Sequence, residues 1–184
     1  MNILCIGDSL TAGYGVPREQ CWVSLLDRQT PHHWQNAGIS GDTTPGMLAR
    51  LQPLLPSKPD LIIWMGGIND ILLTGSADQA KCCTMAFVNQ CAAAGIRPVI
   101  GIPFLIRDVA RPWNKLCDLD ACIPVLEEYI LWLLRLCDAA MLRKVDFRAA
   151  GECLLSDGMH PDPRGHQMMA DAVLAGLHLQ EASL

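Results

Sequence analysis

Three short segments that predict strands, two of them apolar and a weaker one at residues 34–37, are each followed directly by a cluster of small polar residues. The segments cover residues 2–6, 34–37 and 61–65, and helix-like stretches separate them. Apolar runs of this length predict strands of a parallel sheet that helices cover on both faces. The carboxyl ends of such strands meet at one edge, where ligands bind. The sequence therefore predicts an α/β fold: a three-layer, flavodoxin-like, doubly wound sheet of five parallel strands.

The remaining elements follow from helical spacing and from turn residues. Two further strands are predicted at residues 98–102 and 144–147. We expect Thr44 to cap one helix, with Pro45 as its first helical residue, and Asp162 to cap the last helix. The helices are predicted at residues 18–28, 45–55, 78–94, 123–141 and 163–176. A chain of 184 residues fits one domain, which we expect to span residues 1–184.

Composition restricts the classes of partner. Hydrophobic residues make up 51% of the chain, its formal net charge is −5, and its 14 Lys and Arg residues are scattered, so we expect no nucleic acid partner. There is no signal peptide pattern and no transmembrane segment, which predicts a cytoplasmic protein. The nine cysteines are interpreted as buried thiols in a reducing compartment. The apolar helix at residues 123–141 favours either deep burial or a homodimer interface.

The polar clusters carry the side chains needed for acyl transfer. The first three contain Ser9, Gly41 and Asn69, and a fourth, before the last helix, contains Asp157 and His160. A serine hydroxyl needs a base to take its proton, which predicts His160 as base and Asp157 as the carboxylate that orients it. The backbone N–H groups of Ser9 and Gly41 and the Asn69 amide are candidate donors to an oxyanion.

These clusters resemble the four signature blocks of the GDSL, or SGNH, hydrolases. The blocks read Gly-Asp-Ser-Leu at residues 7–10, Ile-Ser-Gly-Asp-Thr at 39–43, Gly-Ile-Asn-Asp at 67–70 and Asp-Gly-Met-His-Pro at 157–161. They are most similar to the bacterial arylesterase and lysophospholipase type, although Ile68 is inserted in the third block. The resemblance implies Ser9, Asp157 and His160 as catalytic residues. It also implies Ser9, Gly41 and Asn69 as the oxyanion hole, with neither cofactor nor metal.

The substrate is predicted from two apolar stretches that follow strand ends, at residues 71–73 and 104–106. We expect Ile71 and Phe104 to contact an acyl chain, while Arg107 and Arg111 are candidate contacts to an anionic head group. The leading hypothesis is hydrolysis of small-molecule acyl esters through an acyl-enzyme, as in an esterase, lysophospholipase or thioesterase. The alternatives are a carbohydrate O-acetyl esterase with the same site, a non-catalytic flavodoxin-like binding module, and a catalytically silent relative. The binding module is disfavoured because phosphate-binding glycine motifs are absent.

Overall fold

A computed structural model describes residues 1–107 and 117–179. Its centre is a sheet of five parallel strands in the order β2-β1-β3-β4-β5, which is the flavodoxin-like order. The strands are β1 (Asn2–Gly7), β2 (His33–Gly38), β3 (Leu61–Met65), β4 (Arg97–Ile102) and β5 (Arg143–Asp146). The predicted fold class is confirmed, and each of the five predicted strands is present.

Seven α-helices lie within the described residues. They are α1 (Ser9–Ala12), α2 (Trp22–Gln29), α3 (Thr44–Leu51), α4 (Ile68–Thr74), α5 (Asp78–Ala94), α6 (Leu119–Ala139) and α7 (Pro163–Leu177). Short 3₁₀ turns occur at Arg18–Gln20, Leu55–Ser57 and Arg148–Glu152. The side chain of Asp162 caps α7 by accepting from the Gly165 N–H, as the sequence predicts.

The inner strands are buried because helices cover both faces of the sheet. All five residues of β3 are buried, as are all residues of β1 except Asn2. On the helical layers, α2 packs with α7, α3 with α5 and α4 with α6. The edge strand β2 is mostly exposed or half-buried, which explains why its apolar signal in the sequence is weak.

Three helix starts differ from the sequence prediction. The helix predicted from residue 18 begins as α2 only at Trp22, because the extended Cys21 separates it from the 3₁₀ turn at Arg18–Gln20. The prediction that Thr44 caps α3 is wrong: Thr43 is the cap residue, Thr44 is the first helical residue, and its hydroxyl donates to Asp70 at 2.6 Å. Helix α3 also ends at Leu51 instead of residue 55. Pro53 contributes to this end, because a proline has no N–H with which to continue the helical hydrogen bonds. Helix α6 starts at Leu119 because the Asp118 side chain accepts N–H groups of its first turn.

Two helices near the functional edge of the sheet, α1 and α4, were not predicted. Helix α1 has only four residues. Helix α4 is only seven residues long and lies between Gly67, which has a φ of +109°, and Gly75, which has a φ of +68°. So short a segment carries no clear helical period between glycines that read as turns. Within the described part of the chain, no helix is both long enough and apolar enough to cross a membrane.

Candidate active site

The first three polar clusters lie together because β2, β1 and β3 are adjacent in the sheet. Gly7 at the end of β1 pairs with Gly38 of β2 and with Met65 of β3. The segments that leave these three strand ends carry Ser9, Gly41 and Asn69, and all three residues line one cavity. The prediction that these clusters meet at one edge is confirmed.

Ser9 is the first residue of the short helix α1. The chain reaches it through Gly7, where an added Cβ would lie 2.2 Å from Thr11 Oγ1 and 2.6 Å from the Met65 carbonyl oxygen. Only glycine fits so close an approach. Asp8 then caps the helix, since its carboxylate accepts the Leu10 N–H at 2.9 Å. These contacts fix the backbone that carries the Ser9 hydroxyl.

The Asp8 carboxyl is almost completely buried beside the nucleophile position. Burial raises the pKa of Asp8 to about 7, and the nearby Asp70 and Asp42 carboxylates act in the same direction, although the Leu10 N–H opposes them. Asp8 therefore orients this loop through its hydrogen bond to the Leu10 N–H.

Ser9, His160 and Asp157 form a continuous hydrogen-bonded chain. The distance from Ser9 Oγ to His160 Nε2 is 2.9 Å, and that from His160 Nδ1 to Asp157 Oδ2 is 2.7 Å. Asp157 Oδ1 also accepts the backbone N–H groups of Met159 and His160, at 2.9 and 3.0 Å. Burial favours a higher pKa for Asp157, but these N–H groups and the imidazole outweigh it and hold that pKa below its usual range. An ionised Asp157 accepts from Nδ1 and leaves Nε2 free to accept the serine proton.

The loop that carries His160 is fastened to the segment that follows β4. Within the loop, the Leu155 N–H donates to the His160 carbonyl at 2.8 Å, and the Arg107 N–H donates to the Gly158 carbonyl at 3.0 Å. The Arg107 guanidinium contacts Gly151 O and Glu152 Oε2 instead of lining the cavity. Arg111, the other candidate for a head-group contact, lies outside the described residues.

Each of the three candidate oxyanion donors has an N–H group available to stabilise a negatively charged oxygen. Among the described residues, no acceptor is bonded to the backbone N–H of Ser9 or of Gly41. Gly41 has a φ of +79°, a left-handed conformation that favours glycine, and nothing lies within 4 Å of an added Cβ. Asn69 Nδ2 donates one hydrogen to the Asp42 carbonyl at 2.9 Å, which leaves its second hydrogen for a ligand.

A second layer of hydrogen bonds, which the sequence analysis missed, holds the Gly41 loop. The Arg50 guanidinium binds Asp42 Oδ2 through Nε at 2.9 Å and Nη2 at 2.6 Å, and it donates to the Ala37 carbonyl at 2.7 Å. It also reaches the Gly7 carbonyl at 3.3 Å. Arg50 therefore joins the ends of β1 and β2 to the residue whose carbonyl orients Asn69.

A matching contact comes from the residue after Asn69. The carboxylate of Asp70 accepts both the Thr44 hydroxyl, at 2.6 Å, and the Thr44 N–H, at 2.9 Å. Asp70 is 3% exposed, so these bonds replace the water it loses on burial. Asn69 and Asp70 thus connect the start of α4 to the start of α3, through Asp42 and Thr44 respectively.

Replacing Arg50 by methionine is expected to lower kcat on the order of 10- to 100-fold, because the Asn69 amide and the Gly41 N–H lose their fixed direction. We expect KM to change little and the pH profile to keep its shape, since the contacts of His160 are untouched. Steady-state kinetics against pH measure both.

Arg148→Met is the matched control for Arg50→Met. Arg148 also binds a carboxylate through two nitrogens, with Asp146 as its partner, but it lies at the end of β5 away from the cavity. Activities of the two variants within twofold of each other would contradict the role given to Arg50.

The cavity beside Ser9 and His160 has a volume of about 460 Å³ and a mainly apolar wall. Its apolar residues are Leu10, Ile68, Leu72, Leu73, Ile106, Cys117, Leu119 and Met159. The expectation that Ile71 and Phe104 line it is corrected. Ile71 is 1% exposed because it faces inward from α4, and Phe104 is buried against Gly151. Leu72, Leu73 and Ile106, which are close to them in the sequence, line the cavity instead.

Tyr14 is a cavity residue that the sequence analysis did not identify. Its ring centroid lies 4.5 Å from that of the His160 imidazole, at an interplanar angle of 44°. The sequence did carry a signal for this position, namely the two glycines that flank Tyr14. In the structure both glycines have a left-handed φ, of +85° and +83°.

His166 lies in the core on α7 and not in the cavity. Its Nδ1 accepts the Trp22 N–H at 3.4 Å. Burial lowers the pKa of His166 to about 4, against the opposing effect of Asp162, so the ring is neutral at pH 7. His166 therefore has a structural position in the core.

A hydroxyl bonded to an imidazole that is bonded to a carboxylate is the arrangement that activates serine as a nucleophile. N–H donors of the kind that stabilise a tetrahedral oxyanion lie next to this arrangement. The α/β fold and this site together have the geometry that acyl transfer through a serine requires.

Comparison with known proteins gives the family. A family model described as the GDSL-like lipase/acylhydrolase family matches residues 5–168. The chain belongs to this family. A crystal structure of a lipolytic protein of the G-D-S-L family from Veillonella parvula superposes with a TM-score of 0.80 at 23% identity, covering 94% of this chain and 96% of that one.

Two curated relatives are esterases or thioesterases by name. An arylesterase of Vibrio mimicus is 47% identical over 75 residues, which is 38% of this chain and 38% of the relative. The chain thus matches well under half the length of that protein. Thioesterase 1/protease 1/lysophospholipase L1 of Escherichia coli is 29% identical over 178 residues, covering 92% of this chain and 80% of the relative.

Proposed function

We propose that this chain is a single-domain carboxylic ester hydrolase that acts through an acyl-enzyme on Ser9. The observation that carries the proposal is the unbroken chain from Ser9 Oγ through His160 to Asp157, with both distances below 3.0 Å. Ser9 and His160 line a cavity that Gly41 and Asn69 also line. No cofactor or metal has a step in this chemistry, so we expect the activity to survive treatment with EDTA.

Acylation begins when His160 Nε2 takes the proton of the Ser9 hydroxyl as the oxygen attacks the ester carbonyl carbon. The carbonyl oxygen becomes an oxyanion, which the N–H groups of Ser9 and Gly41 and the Asn69 amide stabilise. The tetrahedral intermediate collapses by breaking the bond to the alcohol oxygen, and His160 gives that oxygen the proton. The alcohol leaves, and the acyl group stays on Ser9.

Deacylation repeats these steps with water as the nucleophile. His160 takes a proton from water, and the resulting hydroxide attacks the acyl carbon. The second tetrahedral intermediate breaks its bond to Ser9 Oγ, His160 gives that oxygen the proton, and the carboxylic acid leaves. Asp157 orients His160 and stabilises its protonated form in both halves, while remaining ionised itself.

The wall of the cavity favours an acyl chain over a sugar. The volume of about 460 Å³ lies inside the range of small-molecule sites. Its aliphatic side chains come from α4, from the segment after β4, from the start of α6 and from the catalytic loop, so an acyl chain meets an apolar surface from several elements. A sugar would leave its hydroxyl groups without partners there, which costs free energy. The names of the two relatives support aryl esters, thioesters and lysophospholipids as substrates to test first.

The test compares p-nitrophenyl esters of increasing acyl length with acetylated sugars. We expect the highest kcat/KM for an acyl chain longer than acetyl, because each methylene buried in the cavity stabilises the transition state. A higher kcat/KM for the acetylated sugars would favour the O-acetyl esterase alternative and would contradict the role given to the apolar wall. Membership of the acylhydrolase family does not favour the binding-module alternative.

Two further sequence predictions stay proposals. We propose a cytoplasmic location, which is supported by the burial of the cysteines: six of the nine are buried, as small apolar side chains are in a reducing compartment. We also propose a homodimer through α6. That proposal is supported by Leu131, whose apolar side chain is half exposed on α6.

A further inference from the structure

Tyr14 occupies a place in the cavity that the reaction scheme leaves without an assigned role. Its ring packs against the His160 imidazole, with the centroids 4.5 Å apart, yet 48% of the residue is exposed. Among the described residues that line the cavity, Tyr14 is the only one with a carbocyclic aromatic ring; the other apolar ones are aliphatic or carry sulfur. One part of its ring thus faces the base, and the rest is free to contact a ligand.

The backbone holds Tyr14 between the nucleophile and the base. Its N–H donates to the Ser9 carbonyl at 3.1 Å. Gly15 packs beneath the catalytic loop, since an added Cβ there would lie 2.4 Å from Leu155 Cδ1. Leu155 in turn donates its N–H to the His160 carbonyl at 2.8 Å. The position of the Tyr14 ring is therefore determined by the same two segments that carry Ser9 and His160.

The chemistry of acylation places the leaving group at this ring. The alcohol oxygen accepts its proton from His160 Nε2, so it must come within hydrogen-bond distance of that atom. The group bonded to the oxygen then lies against the surface next to the imidazole. The exposed part of the Tyr14 ring is the aromatic portion of that surface.

We propose that Tyr14 forms the leaving-group subsite and that it selects esters whose leaving group is a planar aromatic alcohol. This inference rests on the proposed ester hydrolase function. An aromatic leaving group packs on the Tyr14 ring with an offset or tilted geometry, which stabilises such pairs beyond the area they bury. An aliphatic leaving group of similar size gains only the free energy of burying its apolar surface.

The experiment measures kcat/KM for a phenyl ester and for an alkyl ester with the same acyl group. It is done on the unmodified chain and on Tyr14→Leu and Tyr14→Phe. We expect Tyr14→Leu to lower the phenyl-to-alkyl ratio about three- to tenfold, because it removes the ring but keeps an apolar side chain. Tyr14→Phe is expected to retain the ratio. Intrinsic reactivity of the two esters cancels when ratios are compared between variants, and so does the fraction of folded protein.

Leu73→Ala is the control on the aliphatic side of the cavity, where we expect both esters to be affected alike. A phenyl-to-alkyl ratio that stays the same in Tyr14→Leu, with both esters still hydrolysed, would overturn the subsite and leave the ester hydrolase function intact. A failure of the unmodified chain to hydrolyse either ester would instead overturn the proposed function, and the subsite with it.

Discussion

Replacing Ser9 by alanine is expected to lower kcat/KM for a p-nitrophenyl ester by roughly 10⁴-fold or more. The variant keeps the cavity, the Asn69 amide and the N–H groups of the oxyanion hole. It loses the atom that bonds to the acyl carbon, so only direct attack by water remains. Steady-state hydrolysis measures the loss, and circular dichroism shows whether the fold is retained.

The matched control for Ser9→Ala is Ser40→Ala. Ser40 is a second serine on the wall of the same cavity, on the loop that carries Gly41. Its hydroxyl has no place in the hydrogen-bonded chain to His160, so we expect activity within a few-fold of the unmodified chain. If Ser9→Ala kept its activity while Ser40→Ala lost it, the nucleophile would be misassigned.

The second large effect is expected at Asn69. Its replacement by alanine should lower kcat on the order of 100- to 1,000-fold, because one of three oxyanion donors is lost. The donor acts on charge that develops only in the transition state, so KM should change much less than kcat. The bond from Asn69 Nδ2 to the Asp42 carbonyl, 2.9 Å long, also disappears and loosens the Gly41 loop. Kinetics with one acyl ester, analysed for kcat and KM separately, measure this.

Asn36→Ala separates the loss of a donor from the loss of a structural bond. Asn36 Nδ2 also donates to a backbone carbonyl, that of Thr11 at 2.8 Å, but Asn36 does not line the cavity. We expect it to lower thermal stability and to change kcat only a few-fold. A raised KM with unchanged kcat in Asn69→Ala would show that the amide binds the substrate in its ground state, against the oxyanion role.

The sheet edge and the grouping of its clusters were predictable because parallel strands leave little freedom. Once residues 2–6, 34–37 and 61–65 are assigned as strands, their carboxyl ends must share an edge. Ser9 and Asn69 are then brought together by the sheet, although 60 positions separate them in the chain. The fourth cluster depends on how a loop folds, and its meeting with Ser9 followed from chemistry and from the family resemblance.

The details that the sequence analysis missed depend on side-chain direction and on long-range contacts. The orientation of α4 decides that Ile71 faces the core while Leu72 and Leu73 face the cavity, and that helix was not predicted. Arg50 binds a carboxylate eight positions earlier and carbonyls at two strand ends, a combination with no local sequence pattern. Tyr14 meets His160 only when the turn after α1 packs beneath the catalytic loop.

The most direct test of Ser9 as the nucleophile is covalent labelling with a fluorophosphonate, followed by mass spectrometry of the modified peptide. A serine hydroxyl activated by an imidazole attacks phosphorus and displaces fluoride, which leaves a stable adduct. We predict one adduct, on Ser9, whose formation slows strongly in His160→Ala. An adduct on another residue, or ester hydrolysis by a preparation in which Ser9 stays unlabelled, would contradict Ser9 as the nucleophile.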